Sequence, residues 1–229
     1  MRFGINSDEN YIKYKINSFL STSNKEITDI SKAWFAISLA FGIVLGGLTL
    51  KFFTGFVISA IAVGFGFLLH ELSHKFFAQK YGYKAEFRSF DEMLFLAVIM
   101  SFFGFVLAAP GAVMIFSNVI DKRKNGIISA AGPIMNIILA LAFLLSAILL
   151  TGSLSNTLNL LNFPISKLLE LSIIKAIIAV GFLVNSWLAL FNMIPFWLFD
   201  GAKVFRWNKL VYFMVAAISF VLVFHNIIL

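Results

Sequence analysis

Residues 52–78 read FFTGFVISAIAVGFGFLLHELSHKFFA. The uncharged run Phe52–Leu69 passes without a break into His70-Glu71-Leu72-Ser73-His74. A helix rises about 1.5 Å per residue, so this run is just long enough to cross a hydrocarbon core of about 30 Å. Imidazoles and a carboxylate therefore lie inside or just at the end of a membrane span. A charged group at such a depth costs on the order of 2.5–3.5 kcal/mol and commonly marks function. His70 and His74 are four residues apart, so a helix projects both rings from one face, where they can share a metal ion, with Glu71 one residue round from the first. The bland alternative is a group of interfacial residues where the helix exits, with Glu71 paired to Lys75 at i+4.

Composition supports the membrane reading. Of the 229 residues 60% are hydrophobic and 13% charged, against about 45–50% and about 25% in soluble domains. A soluble single domain is excluded. The chain has no cysteine, which excludes disulfides, thiolate metal sites and a cysteine nucleophile. Its net charge of +7 comes from basic residues placed between long apolar runs, without a basic stripe interleaved with aromatics. We therefore expect a lipid bilayer and no nucleic acid as partner.

Further uncharged runs cover Ala33–Leu50, Met93–Phe116, Gly126–Leu150, about Leu171–Phe191 and Leu210–Leu229. Residues 1–32 are mixed in charge and carry no cleavage site of the A-x-A type. Ser23 followed by Glu26 predicts a capping box, with a helix starting there and running into the first span. The basic residues decide the threading. If Met93–Phe116 dips into the membrane and returns at Pro110-Gly111, segments 1–32, 75–92, 117–125 and 192–209 share one side and carry fifteen Lys and Arg; the other side keeps only Lys51 and Lys167, with Lys175 snorkelling to the outer interface. The expectation is an all-α polytopic protein of about five transmembrane helices plus a re-entrant segment over 93–118, with room for a β-hairpin in part of it. Residues 1–32 form a cytoplasmic segment and 33–229 a single membrane-embedded domain. The N-terminus and the opening of the site face the cytoplasm, and the cell membrane is the expected location. Non-helical backbone at that depth must be buried in protein or line a wet cavity, so a cavity is expected beside the second span.

His70, Glu71 and His74 have the H-E-x-x-H arrangement of zinc hydrolases. A catalytic zinc takes three protein ligands and leaves a place for water. Without cysteine the third must be His, Asp or Glu. His225 falls near the far end of the last span, on the opposite side from His70. Asp91 and Glu92 lie in a charged loop and need no other explanation. Asp200 is better placed: it is the only carboxylate between Glu170 and the C-terminus, and it follows Pro195, which should break its helix at the cytoplasmic end. Its bland reading is a helix cap before Gly201. In Gly132-Pro133-Ile134-Met135-Asn136 the asparagine falls at about the depth of His70 from the same face. It is either an oxyanion donor or an interhelical hydrogen bond; Asn185 and Ser186 have the look of packing residues.

Together, HELSH at 70–74, Gly-Pro-x-x-Asn at 132–136 and Asn-x-x-Pro with Asp-Gly at 192–201 resemble the site-2 protease family of intramembrane zinc metalloproteases, in the family's order and over about residues 66–205. The resemblance implies a core of three helices within 52–205 and a membrane-dipping segment between the first two. It implies one Zn2+ per chain on His70, His74 and Asp200, with Glu71 catalytic. Asn136 and Asn192 would seat substrate or support the oxyanion. Asp200-Gly201-Ala202 departs from the Asp-Gly-Gly common in the family, and several members have more spans after the aspartate. The expected activity is hydrolysis of a peptide bond within or at the edge of a transmembrane helix, with a transmembrane protein as substrate. The rival class is a metal-ion transporter or sensor using the same ligands, against which stand the non-ligating Glu71 and the lack of paired broken helices.

Overall fold

The computed structural model describes residues 21–106, 110–117, 119–196 and 199–225; most of the expected cytoplasmic segment 1–32, residues 1–20, lies outside these. The Ser23 hydroxyl accepts the Glu26 N–H at 3.2 Å and starts helix α1, Asn24–Gly46. Only half of the capping box forms. The Glu26 carboxylate does not turn back to the Ser23 N–H; it reaches into the protein to accept from Lys75 Nζ at 2.7 Å and from the Phe87 N–H at 2.9 Å. Helix α1 also ends four residues short of the apolar run that defined it.

Helix α2, Lys51–Ser59, one π-helical turn, Ala60–Gly64, and helix α3, Phe65–Lys80, form one 30-residue rod. A π turn leaves carbonyls poorly served by their own helix. Here other helices serve them: Trp34 Nε1 on α1 donates to Ala60 O at 3.1 Å, and Asn185 Nδ2 donates to Ala62 O at 3.4 Å.

Strand β1, Lys84–Ser89, leads into helix α4, Asp91–Ser101, and the chain returns as strand β2, Gly111–Phe116, antiparallel to β1 with Lys84 opposite Phe116 and Phe87 opposite Val113. Eleven residues of helix reach only about 16 Å, too little to cross a bilayer. The segment between the two strands ends beside the strand it left.

Asp121 caps helix α5, Lys122–Thr151, accepting from the N–H groups of Arg123 and Lys124. Helix α6, Leu154–Leu161, and a 3₁₀ turn, Ile165–Glu170, connect to helix α7, Ile173–Asn192. Helix α7 stops before Pro195, because the residues preceding a proline are pushed out of the helical region. Helices α8, Asp200–Trp207, and α9, Lys209–Val223, follow.

Helix α5 is the centre of the assembly and packs against α3, α7 and α8. Buried Ala130, Ala140, Ala176, Ala179 and Ala189 let these backbones approach, as small residues do where apolar burial gives helices no preference over lipid. Among the described residues four helical stretches are long and apolar enough to span a membrane: Asn24–Gly46, Lys51–Lys80, Lys122–Thr151 and Ile173–Asn192. The expected fifth, Leu210–Leu229, is shorter in the described residues: α9 has 15 residues, about 22 Å, and residues 226–229 lie outside them. Lys175 is exposed at the start of α7, as a snorkelling lysine would be.

Candidate metal centre

The site is built where α3, α5 and α8 meet. Helix α3 presents both imidazoles from one face, with Nε2 of His70 and Nε2 of His74 3.1 Å apart. Asp200, the first residue of α8, places Oδ2 3.4 Å from His70 Nε2 and 3.0 Å from His74 Nε2. All three residues are buried.

The hydrogen bonds behind the rings decide what these atoms are. His74 Nδ1 lies 2.7 Å from Ile128 O, and His70 Nδ1 lies 2.5 Å from Asn136 Oδ1. Both partners can only accept, so both Nδ1 atoms carry the proton and both Nε2 atoms of the neutral rings present lone pairs. With the rings neutral, two lone pairs and a carboxylate oxygen face one another at 3.0–3.4 Å, an arrangement of acceptors that favours a cation among them. Ligands of tetrahedral zinc at about 2.0–2.1 Å stand about 3.3 Å apart, so the donor set and its spacing fit that ion.

Helix α5 supports the cluster with its backbone. A Cβ on Gly132 would stand 2.5 Å from Nε2 of both histidines, so this position admits no side chain. Pro133, inside the helix, has no N–H to offer the Ser129 carbonyl. In the same turn Ile128 O takes the His74 bond.

Glu71 stands beside the cluster, its carboxylate within 4.8 Å of the histidine donors. It does not pair with Lys75, whose ammonium goes to Glu26. Glu71 Oε2 instead accepts the Val113 N–H of β2 at 3.2 Å. The same register position is used on the opposite edge of the ribbon, where Phe87 N–H meets Glu26.

The remaining expected residues separate clearly. Asn136 is fully engaged: Nδ2 donates to Asn185 Oδ1 at 2.8 Å and to Gly66 O at 3.3 Å, so neither amide hydrogen is free for an oxyanion. Asn192 is not drawn to the histidines; Nδ2 donates to Leu188 O at 2.9 Å and the residue lines the cavity wall. Asp91 pairs with Lys32 at 2.7 Å, whose hydrogen bond, with that of Ser89, holds its carboxyl below the usual range. His225 packs its ring against Phe182, away from the cluster. Asn185, Gly132 and the Val113 N–H were not singled out as site elements from the sequence. For Asn185 one signal existed: it lies seven residues before Asn192, on the same helix face.

The cluster opens into a cavity of about 910 Å3 lined by His70, Glu71, His74, Val113, Asn192 and Asp200, with apolar walls that include Trp187 and Leu188. An H-E-x-x-H motif beside a second carboxylate lies in a helical core with an apolar cleft, and a model of peptidase family M50 matches residues 58–208. The chain belongs to peptidase family M50. Over 199 residues it is 37% identical to a Methanocaldococcus jannaschii protein named "putative zinc metalloprotease", covering 86% of this chain and 92% of that one. No solved structure matches the chain. This M50 metalloprotease is an integral membrane protein with a zinc-binding His-Glu-His motif, and the family match covers α3 to α8 while leaving α1 outside it.

Proposed function

We propose that the chain hydrolyses a peptide bond within or at the edge of a transmembrane helix of another membrane protein. His70, His74 and Asp200 hold one zinc ion, and Glu71 is the general base. The observation that carries this reading is the convergence of three acceptor atoms at 3.0–3.4 Å. Zinc bound there supplies Lewis acidity, which makes water nucleophilic near neutral pH and polarises the scissile carbonyl. Glu71 takes a proton from the attacking water and delivers it to the leaving nitrogen as the C–N bond breaks. Its place outside the ligand set gives it this work, for which a transport site has no use.

A substrate helix keeps its carbonyls in its own hydrogen bonds and must unwind before attack; Gly, Pro or polar residues near the cut lower that cost. Strand β2 offers the unwound segment an edge. In an antiparallel ribbon outward-facing residues alternate, so Val113 shares its outer edge with Gly111 and Ile115. Among the described residues the outward N–H and C=O of Ile115 make no hydrogen bond. An extended peptide added there would run along the cavity beside Glu71. Segment 91–116 re-enters the membrane to build this wall, and the cavity opens towards the cytoplasm.

The test compares wild type and Glu71→Gln in proteoliposomes, with and without a chelator, against single-span helices containing Gly or Pro. Expected is cleavage by wild type only, abolished by the chelator, with zinc retained in Glu71→Gln. Cleavage that survives Glu71→Gln, or a wild-type chain that binds no zinc, overturns the reading.

A further inference from the structure

Behind His70 lies a chain of hydrogen bonds that the reaction does not consume. Asn185, fully buried in α7, donates through Nδ2 to Gly181 O at 2.8 Å and to Ala62 O at 3.4 Å. Its Oδ1 accepts from Asn136 Nδ2 at 2.8 Å. Asn136, also fully buried, then turns Oδ1 to His70 Nδ1.

Backbone carbonyls cannot donate, so the chain has one sense. Gly181 O and Ala62 O demand the amino group of Asn185, which leaves its carbonyl oxygen for Asn136. That oxygen demands the amino group of Asn136, which leaves Oδ1 for the His70 ring. Oδ1 demands a protonated Nδ1 and so strips Nε2 of its hydrogen. Among the described residues the one other anchor of this sense is the longer contact to Gly66 O at 3.3 Å. Packing fixes the arrangement too: a Cβ on Gly66 would lie 2.7 Å from Asn185 Oδ1, so no larger residue fits at 66 without displacing the amide.

We propose that Asn185 is a positioning residue of the metal centre, setting the orientation of the Asn136 amide and through it the ligating tautomer of His70. Asn185 touches neither His70 nor Asp200 and acts at one remove, through Asn136. The inference rests on the reading of His70 as a metal ligand. Partners of this kind typically change metal affinity by about 10–100-fold when removed.

The test uses the full chain in detergent micelles, with zinc affinity measured by competition against a chromophoric chelator. Asn185→Leu is expected to bind zinc about 10–100-fold more weakly. Asn185→Asp, held protonated by its burial, donates its O–H to Gly181 O, keeps an acceptor facing Asn136 and stays close to wild type. Adding Asn185→Leu to Asn136→Leu costs nothing further, since the two act in series. Ser186→Ala removes the neighbouring buried hydroxyl, which bonds to Phe182 O at 2.7 Å outside this chain of bonds, and leaves affinity unchanged; it reports general damage to α7. With three histidines in the sequence, 15N spectra of the metal-free protein give a second readout: His70 carries its proton on Nδ1 in wild type and populates both tautomers in Asn185→Leu. Zinc binding that depends on His70 but is the same in Asn185→Leu, with an unchanged tautomer, overturns the inference and leaves the metal centre standing. Zinc binding indifferent to His70→Ala overturns the metal centre itself.

Discussion

Gly132 carries no side chain, and the two histidines depend on that. A methyl group there would press on both Nε2 atoms at the place proposed for the zinc ion. Alanine is the better helix former by about 1 kcal/mol, so Gly132→Ala should leave α5 helical and still empty the site. The expected outcome is a protein that elutes like wild type and retains less than about a tenth of its zinc by elemental analysis, the loss following from displaced ligands. Full zinc occupancy would mean that the rings can move aside. The residues with the strongest chemistry, His70, Glu71, His74 and Asp200, were legible in the sequence because ionisable groups are rare among apolar runs. What supports them was not. The partner of Glu71 is a main-chain N–H, which leaves no mark on residue type. Lys75 pairs with Glu26, 49 positions away, where reasoning along one helix looks only four positions back. Asn136 was visible, but its sense, acceptor towards His70, needed the neighbours that fix its amide.

At the scale of elements, the β1–β2 ribbon is held from both edges at one register pair. Glu26 of α1 takes the Phe87 N–H and Glu71 of α3 takes the Val113 N–H. Both donors point out of the ladder, so each can be removed without unpairing the strands. Proline is tolerated at such edge positions; Val113→Pro should keep the ribbon and the zinc while releasing Glu71. A hydrogen bond to a charged group is worth about 1.5–3 kcal/mol, so kcat should fall about 10–100-fold, measured alongside zinc content. On the other edge, Glu26→Ala strands the buried Lys75 ammonium, and breaking a buried pair from one side costs about 3–5 kcal/mol. A clear drop in the thermal midpoint is expected, with partial recovery in Glu26→Leu/Lys75→Met, where no charge is left unpaired. Charge counting together with Pro110-Gly111 leads to the expectation of a returning segment over 93–118, and β2 does pair back onto β1. The length of α1 could not be anticipated, since apolarity continues through the turn after Gly46 and only the backbone shows where the helix stops.

For the whole molecule, the strand pairing ties topology to charge. Lys84 lies opposite Phe116, so both ends of the segment between them must be on one side of the membrane. Putting the segments that flank this ribbon on the cytoplasmic side gathers fifteen of the basic residues there and leaves Lys51 and Lys167 outside, as the positive-inside rule prefers. The absence of native cysteine makes the arrangement directly testable with single substitutions and an impermeant maleimide on intact cells. Lys84→Cys and Ser117→Cys should both be protected until the membrane is opened, and Ser155→Cys, exposed on α6, should react at once. Opposite behaviour of positions 84 and 117 would contradict the ribbon itself, because paired strands cannot lie on two sides of a bilayer. Joint reaction of 84 and 117 with protection of 155 would keep the ribbon and invert the protein, placing the zinc cavity and the cleavage products on the outer face.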